Sequence, residues 1–314
     1  MSTPLTAETF EEYLRIIKDE LPDGCKYFRG QSKPVSDGYF LKPSIGRFDH
    51  LAAKTPSELE DLEWNMLDIF RNHLVTYVQH LPQTDWEALA IAQHHGLPTR
   101  FMDWTTNPLA ALYFAVRGPN KSDCPHCAVY VLISDPPRYA ALKHNHQQTI
   151  KPVKDLATTR AAVDDGFAEF GLGEPEQEQA DTLAEPEDDP SKTLAEPDLA
   201  AQSALHTNGN AEPLVPSPFE ITENVIYEPP HVSPRMRAQD SVLLACYRPL
   251  VALDESEWLE ILIPNAARDD IRLRLELYGV FDKQLFPDLD GVAKWLRFQK
   301  LEIDEKREAG GTLQ

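Results

Sequence analysis

Apolar positions recur at helical spacing in the first twenty residues. Phe10, Tyr13, Leu14 and Ile17 fall on one face with Glu11, Glu12 and Lys18 opposite, which predicts an amphipathic helix over residues 6–21. Pro22-Asp23-Gly24 ends it, and the period then shortens. Cys25–Gln31 reads as a strand whose alternation puts Tyr27 and Arg29 on one face and Phe28 on the other. Phe28 is expected in the core and Arg29 in a cleft. Residues 32–50 keep neither period and read as loop. A long helix follows from Pro56, with Ser57 as its cap and a stripe of Leu59, Leu62, Met66, Ile69, Phe70, Tyr77 and Val78. Leu81-Pro82 stops it. Thr84-Asp85-Trp86-Glu87 has the form of a capping box. The helix it opens turns Trp86, Leu89 and Ala92 inward and ends in Gln93, His94 and His95.

The densest chemistry lies from Gln93 to Gly118. One helix stops at Gly96-Leu97-Pro98, and a second opens at Asn107-Pro108, a cap residue followed by proline at the first helical position. That second helix, Leu109–Arg117, is apolar nearly all round and is expected to be buried. The residues between them, holding Arg100, Asp103, Trp104, Thr105 and Thr106, read as a short polar connection pinned at both ends, where binding groups are favoured. Each also has a structural use. Asp103 and Asn107 can satisfy turn and cap amides, and His94 and His95 can serve the negative end of a helix dipole. Their clustering is what points to function. Ala128–Ile133 is a strand rich in β-branched residues.

Beyond Pro137 the periodicity dissolves. Residues 151–222 are rich in Glu, Asp, Pro, Ala and Gln, and Thr182-Leu-Ala-Glu-Pro186 recurs as Thr193-Leu-Ala-Glu-Pro197. Such a segment buries too little apolar surface to offset chain entropy, so it reads as a disordered acidic insertion. Strands resume at Val225–Tyr227, Ser241–Tyr247 and Trp258–Ile263. Asn265 caps a helix through Leu277, and Asp288 or Asp290 caps a last one carrying Val292, Trp295, Leu296 and Phe298. The expected organisation is an N-terminal helix over 1–19, an α+β domain over 20–298 interrupted by the insertion, and a flexible tail over 299–314. Its central sheet is mixed or antiparallel, with helices around it.

Charge changes this picture little. The net charge of −21 is concentrated, because Asp164 to Glu223 holds sixteen acids against Lys192. No basic track accompanies the chemistry, so nucleic acid is not an expected partner. No apolar run approaches the roughly 18 residues a membrane span needs, and the first residues lack a signal pattern, so a cytoplasmic protein is expected. Cys124-Pro-His-Cys127 lacks two further ligands at close spacing, and no metal is expected there.

Phe28-Arg29-Gly30-Gln31, the run Ala92–Arg100, Asp103-Trp104-Thr105, Asn107–Ala110 and Phe114-Ala115 together resemble the FRG-domain family. Arg235, Gln239 and Leu285–Gly291 look like its later motifs, so the resemblance covers roughly residues 20–135 and 221–298. The motif order is similar to that of the ADP-ribosyltransferase fold. There an arginine on the first strand holds NAD, a Ser/Thr-rich strand end leads into a helix, and a third strand brings a Glu. By that resemblance Arg29 matches the first motif, Thr105 and Thr106 the second, and Gln239 the third. It implies NAD as substrate, bound by Arg29, Gly30, Gln31, Arg100, Thr106, Asn107 and Arg235. Gln239, Thr105, Asp103, His94 and His95 would serve the chemistry. It further implies an ADP-ribosyltransferase or NAD glycohydrolase effector of bacterial or phage origin, a toxin or a defence protein, with a protein as acceptor. Gln239 stands where a Glu is expected, which leaves Asp103 or Glu228 to supply the charge. The alternative is a non-catalytic module that binds a nucleotide or a partner protein.

Overall fold

In the computed structural model, residues 5–78, 81–118, 124–142, 215–230 and 234–302 are described. The expectations for 151–214 and for the tail from 303 lie outside them.

Seven strands form one sheet: β1 (Leu5–Thr6), β2 (Tyr27–Gln31), β3 (Phe101–Thr105), β4 (His126–Leu132), β5 (Val225–Tyr227), β6 (Ser241–Ala245) and β7 (Trp258–Pro264). Their order is β1-β7-β4-β2-β3-β6-β5. β1 runs parallel to β7 and the other neighbours are antiparallel. The fold is α+β with a mixed sheet, as expected. β4 lies inside the sheet with Cys127 through Leu132 all buried, which suits its β-branched and aromatic run.

The sheet is nearly two sheets. β2 pairs with β4 along all five of its residues, and β3 pairs with β6 along all five of its own. Between β2 and β3 the register has a single pair, Phe28 with Thr105. The two halves meet at that point and leave a cleft beside it.

Eight helices surround the sheet among the described residues: α1 (Phe10–Asp19), α2 (Pro56–Tyr77), α3 (Asp85–His94), α4 (Pro108–Val116), α5 (Pro234–Ala238), α6 (Arg268–Leu277), α7 (Asp282–Leu285) and α8 (Leu289–Arg297). α1, α4 and α6 cover one face, with Phe10, Tyr13, Ile16, Ala111 and Leu275 packed against Phe28, Val129 and Ile261. α2 and α3 cover the β3-β6-β5 half through Leu67, Trp86, Leu89 and Phe101. Gly30 allows α4 to lie directly on β2, since a Cβ there would collide with the Ala111 carbonyl oxygen. Tyr13 donates to the Pro108 carbonyl at 2.8 Å, and buried Arg268 donates to the Gly118 carbonyl at 2.9 Å just past the other end of α4.

Several expectations are corrected. Residues 101–105 are a strand rather than a connection. Phe101, Met102 and Trp104 are large and apolar and are buried on the two faces of β3. The expected N-terminal helix is α1, which packs into the shared core, and the preceding β1 joins the sheet. α2 is capped by Thr55 in a full capping box with Glu58, not by Ser57. Its buried face is Leu59, Glu63, Leu67 and Leu74, while Ile69 and Tyr77 are exposed. The insertion read over 151–222 runs too far, because Ser217 and Phe219 are buried and Phe219 packs with the α2–α3 cluster.

Candidate functional site

The cleft left by the single β2–β3 pair is a cavity of about 310 Å³. β2 supplies Phe28, Arg29 and Gly30, and β3 supplies Asp103, Trp104 and Thr105. The end of α3 adds Gln93 and His94, α4 and its cap add Phe114 and Arg117, and the α5–β6 segment adds Arg235, Met236, Gln239 and Ser241. Seven of the twelve residues named beforehand line it: Arg29, Gly30, His94, Asp103, Thr105, Arg235 and Gln239.

Arg29 points where strand alternation puts it. Its Nη1 donates to the Asp103 carbonyl across the split, while its Nε is buried without a partner. Burial holds the guanidinium below its usual range; Asp103 opposes that shift and Arg47 adds to it. An arginine enclosed this way has donor capacity left for an anion.

Asp103 is the one carboxylate among the described residues that line the cavity. Its Oδ2 accepts from Gln93 Nε2 at 3.1 Å. Gln93 is itself oriented, because its Oε1 accepts from the Thr99 hydroxyl at 2.7 Å. That hydroxyl in turn accepts from the Phe101 amide at 3.1 Å. The chain Thr99–Gln93–Asp103 fixes which way the amide faces and thereby aims the carboxylate. Gln93 and Thr99 fall inside the dense block read from the sequence, but neither was assigned a role there. The signal was weak: a glutamine in the last turn of α3, ten residues before the acid it meets.

His94 is half-buried in the wall. Its pKa lies below the ordinary value, first through burial, then through the charges of Arg235 and His95, with Asp103 pulling the other way. His95 is exposed, does not line the cavity, and holds its ring 5.3 Å from that of His94.

Gln239 lies in the cavity, but its amide nitrogen donates to the Leu285 carbonyl at 3.0 Å. The Thr105 hydroxyl donates to the Gln239 carbonyl at 2.7 Å and accepts from the Asn107 amide at 3.0 Å. It joins two walls rather than facing a ligand. Asp240 takes a left-handed backbone (φ 45°) and its carbonyl accepts from the Thr106 amide at 3.2 Å.

Four residues read as binding groups sit elsewhere. Arg100 is 4% exposed and fully engaged: Nη2 and Nε donate to Glu63 at 2.5 and 3.1 Å, and Nη1 donates to the carbonyls of Pro218 and Phe219. It is an internal brace, outside the cavity lining. Asn107 caps α4, its Oδ1 accepting from Leu109 and Ala110. Thr106 is exposed and does not line the cavity. Gln31 is buried away from the cleft and donates to the Tyr39 carbonyl at 3.5 Å. Gly30 borders the cavity, yet the close approach it permits is to α4, not to a ligand. Glu228 is exposed, 4.0 Å from Arg138, and does not reach the cleft.

Arg117 is the cation that sequence reading missed. It lies one residue past α4, and its guanidinium sits over Phe114 and Phe286 at 4.9 and 5.2 Å. Arg235 lies over the same Phe286 ring at 4.6 Å. Three arginines and His94 thus share a cleft with one acid. Among the described residues no three His, Cys, Asp or Glu side chains gather as a metal site, and no helix is long and apolar enough to cross a membrane. Cys124 and Cys127 are buried free thiols, and burial pushes Cys127 up to about 11.

Residues 25–124 match the family model of the FRG domain, the expected family, in the stretch holding Arg29 and the whole Gln93–Gly118 block. Arg235, Gln239 and Phe286 lie beyond the matched stretch. No curated protein and no solved structure matches the chain.

Proposed function

We propose that the cleft of this FRG domain binds NAD or a closely related nucleotide and that Asp103 supplies the charge for cleaving the nicotinamide–ribose bond. The observation that carries the reading is the pairing of arginines with one aimed carboxylate in one cavity: Arg29, Arg117 and Arg235 face inward with Asp103 held by Gln93. A volume of about 310 Å³ is at the small end of ligand pockets, which run roughly 300–1,000 Å³. It suits one nucleotide half with the remainder at the open side.

The chemistry asks for these groups. When the bond breaks, nicotinamide leaves with the bonding electrons and positive charge develops on the ribose. A fixed carboxylate stabilises that charge, and an arginine holds the diphosphate so that the sugar stays in register. Water or an acceptor nucleophile then attacks the anomeric carbon and gives up its proton. In this arrangement Asp103 rather than Gln239, the match to the third motif, faces the sugar, because the Gln239 amide nitrogen is already bonded to the Leu285 carbonyl.

A second reading, a module that binds the nucleotide without turning it over, is favoured by one specific observation. Among the described residues no Glu lines the cavity, and Gln239 stands at the motif position where the family resemblance implies an acid.

The test is NAD binding and nicotinamide release by the purified chain, with Arg29→Ala and Asp103→Asn beside it. Release abolished in both variants, with binding retained in Asp103→Asn, supports an NAD-consuming enzyme. Binding lost in Arg29→Ala, with no release in any form, supports the module. Absence of NAD binding in the wild type removes NAD from the site.

A further inference from the structure

The Leu285–Gly291 segment is not explained by the cleft chemistry above, although its sequence, Leu-Phe-Pro-Asp-Leu-Asp-Gly, stood out. Its ring, Phe286, is 5% exposed and is held from several sides. Gln239 donates to the carbonyl of Leu285 next to it, and α8 starts so close that a Cβ on Gly291 would collide with the Phe286 carbonyl. Asp288 caps α8 by accepting from the Gly291 amide at 2.7 Å. The ring is therefore a fixed platform. On it lie the guanidinium of Arg235 at 4.6 Å, that of Arg117 at 5.2 Å, and the Lys294 ammonium at 5.6 Å.

We propose that Arg117 and Arg235, set on Phe286, form a second anion subsite at the edge of the cleft, which takes the second phosphate of a diphosphate-bearing ligand. The inference rests on the nucleotide reading only for the rest of the ligand's identity. Three observations carry it. Both arginines line the cavity that holds Arg29. Among the described residues neither forms an ion pair. Asp282, whose charge Arg117 feels, is bonded instead to Arg272 at 3.3 Å. Two guanidinium groups sharing one ring repel each other: burial first, and then the charge of Arg235, hold Arg117 below its usual range. An anion seated between them relieves that repulsion, and their planar forks suit phosphate oxygens.

The experiment is a calorimetric titration of the full chain at fixed salt with orthophosphate, pyrophosphate and NAD. Wild type is expected to prefer pyrophosphate over orthophosphate by tenfold or more. In Arg117→Gln/Arg235→Gln this ratio falls towards one, and Arg117→Lys/Arg235→Lys, which keeps both charges, restores less than a third of it. Arg248→Gln removes an arginine outside the cleft and is expected to leave the ratio unchanged. A double glutamine variant with the wild-type ratio overturns the subsite, as does a wild type with no preference. If pyrophosphate binds through these arginines and NAD does not, the NAD reading falls and the subsite stands. If NAD binds while the pyrophosphate ratio ignores both arginines, the subsite falls and the NAD reading stands.

Discussion

Arg100 and Arg29 are both arginines of the matched FRG stretch, both are shielded by protein, and both touch strand β3, yet they end in opposite states. Arg100 sits in a closed set. Glu63 takes two of its nitrogens, the Pro218 and Phe219 carbonyls take a third, and the Phe219 ring lies 4.9 Å from the guanidinium. Arg29 sits in an open set: one bond to a carbonyl, one buried nitrogen without a partner, and a cavity in front. Polar groups buried without partners are costly. A closed set is therefore a stability device, and an open one is where function is to be sought. The difference is one of satisfaction, not of residue type.

The contrast breaks first on stability. Glu63→Ala leaves a buried guanidinium without its counter-charge, a loss expected at about 3–5 kcal/mol. Arg100→Ala should cost a similar amount, since burial already pushes the Glu63 carboxyl up and Arg100 is what offsets it. Urea melts of both variants check this. A loss below about 1 kcal/mol in either would show that the closed set contributes no more than an exposed pair.

Arg29→Gln should behave the other way. Its removal is expected to change the urea midpoint little and to weaken nucleotide binding by about 2–5 kcal/mol, the range for truncating a desolvated charged contact. A variant that unfolds as easily as Glu63→Ala, or one that binds as the wild type does, would erase the distinction between the two arginines.

How far this could be read in the sequence follows the same line. Element ends were legible because they depend on neighbours in the chain: Thr84 caps α3, Asn107 caps α4, and the chain leaves α3 at His95 and Gly96 as the Gly-Leu-Pro signal requires. Strand alternation at Tyr27, Phe28 and Arg29 was legible for the same reason. The strand at 101–105 was not, because clustered polar residues drew attention away from the alternation of Phe101, Asp103 and Thr105 with Met102 and Trp104. Satisfaction was illegible altogether. Whether an arginine is open or closed depends on partners 37 or 118 positions away, as Glu63 and Pro218 are from Arg100. Arg117 was missed because its meaning comes from Phe286, far along the chain and beyond the matched stretch.

Asn107 sharpens the comparison at smaller scale. It lies in the same dense block as Asp103, but its oxygen is committed to two amides of α4. Asn107→Ala is expected to cost about 1 kcal/mol in stability, the usual loss of an N-cap. Nucleotide affinity should stay within about twofold, because nothing in the open set bonds to its side chain. A tenfold fall in affinity without loss of stability would move Asn107 into the site.

The smallest effect concerns His94, which stands between the two states: half-buried, yet facing the cleft. Burial, Arg235 and His95 hold it below its ordinary value, with Asp103 opposing, so its neutral form prevails near pH 7. Its neutral form thus favours the fold, and that contribution is lost as pH falls from the unfolded value towards the depressed folded one. A bound diphosphate reverses the local charge and raises the value. Binding then takes up a proton, and affinity rises as pH falls through the window between the bound and free values. NAD is the suitable probe, since its diphosphate stays ionised throughout. Between pH 7.5 and 5.5 its affinity is expected to rise by about threefold, less than the roughly tenfold of one full pKa unit. Thermal stability without ligand should fall over the same range. His94→Gln should flatten both slopes. Should affinity instead fall with acid while His94→Gln leaves that slope in place, the histidine belongs with the wall, and the anion is held by the arginines alone.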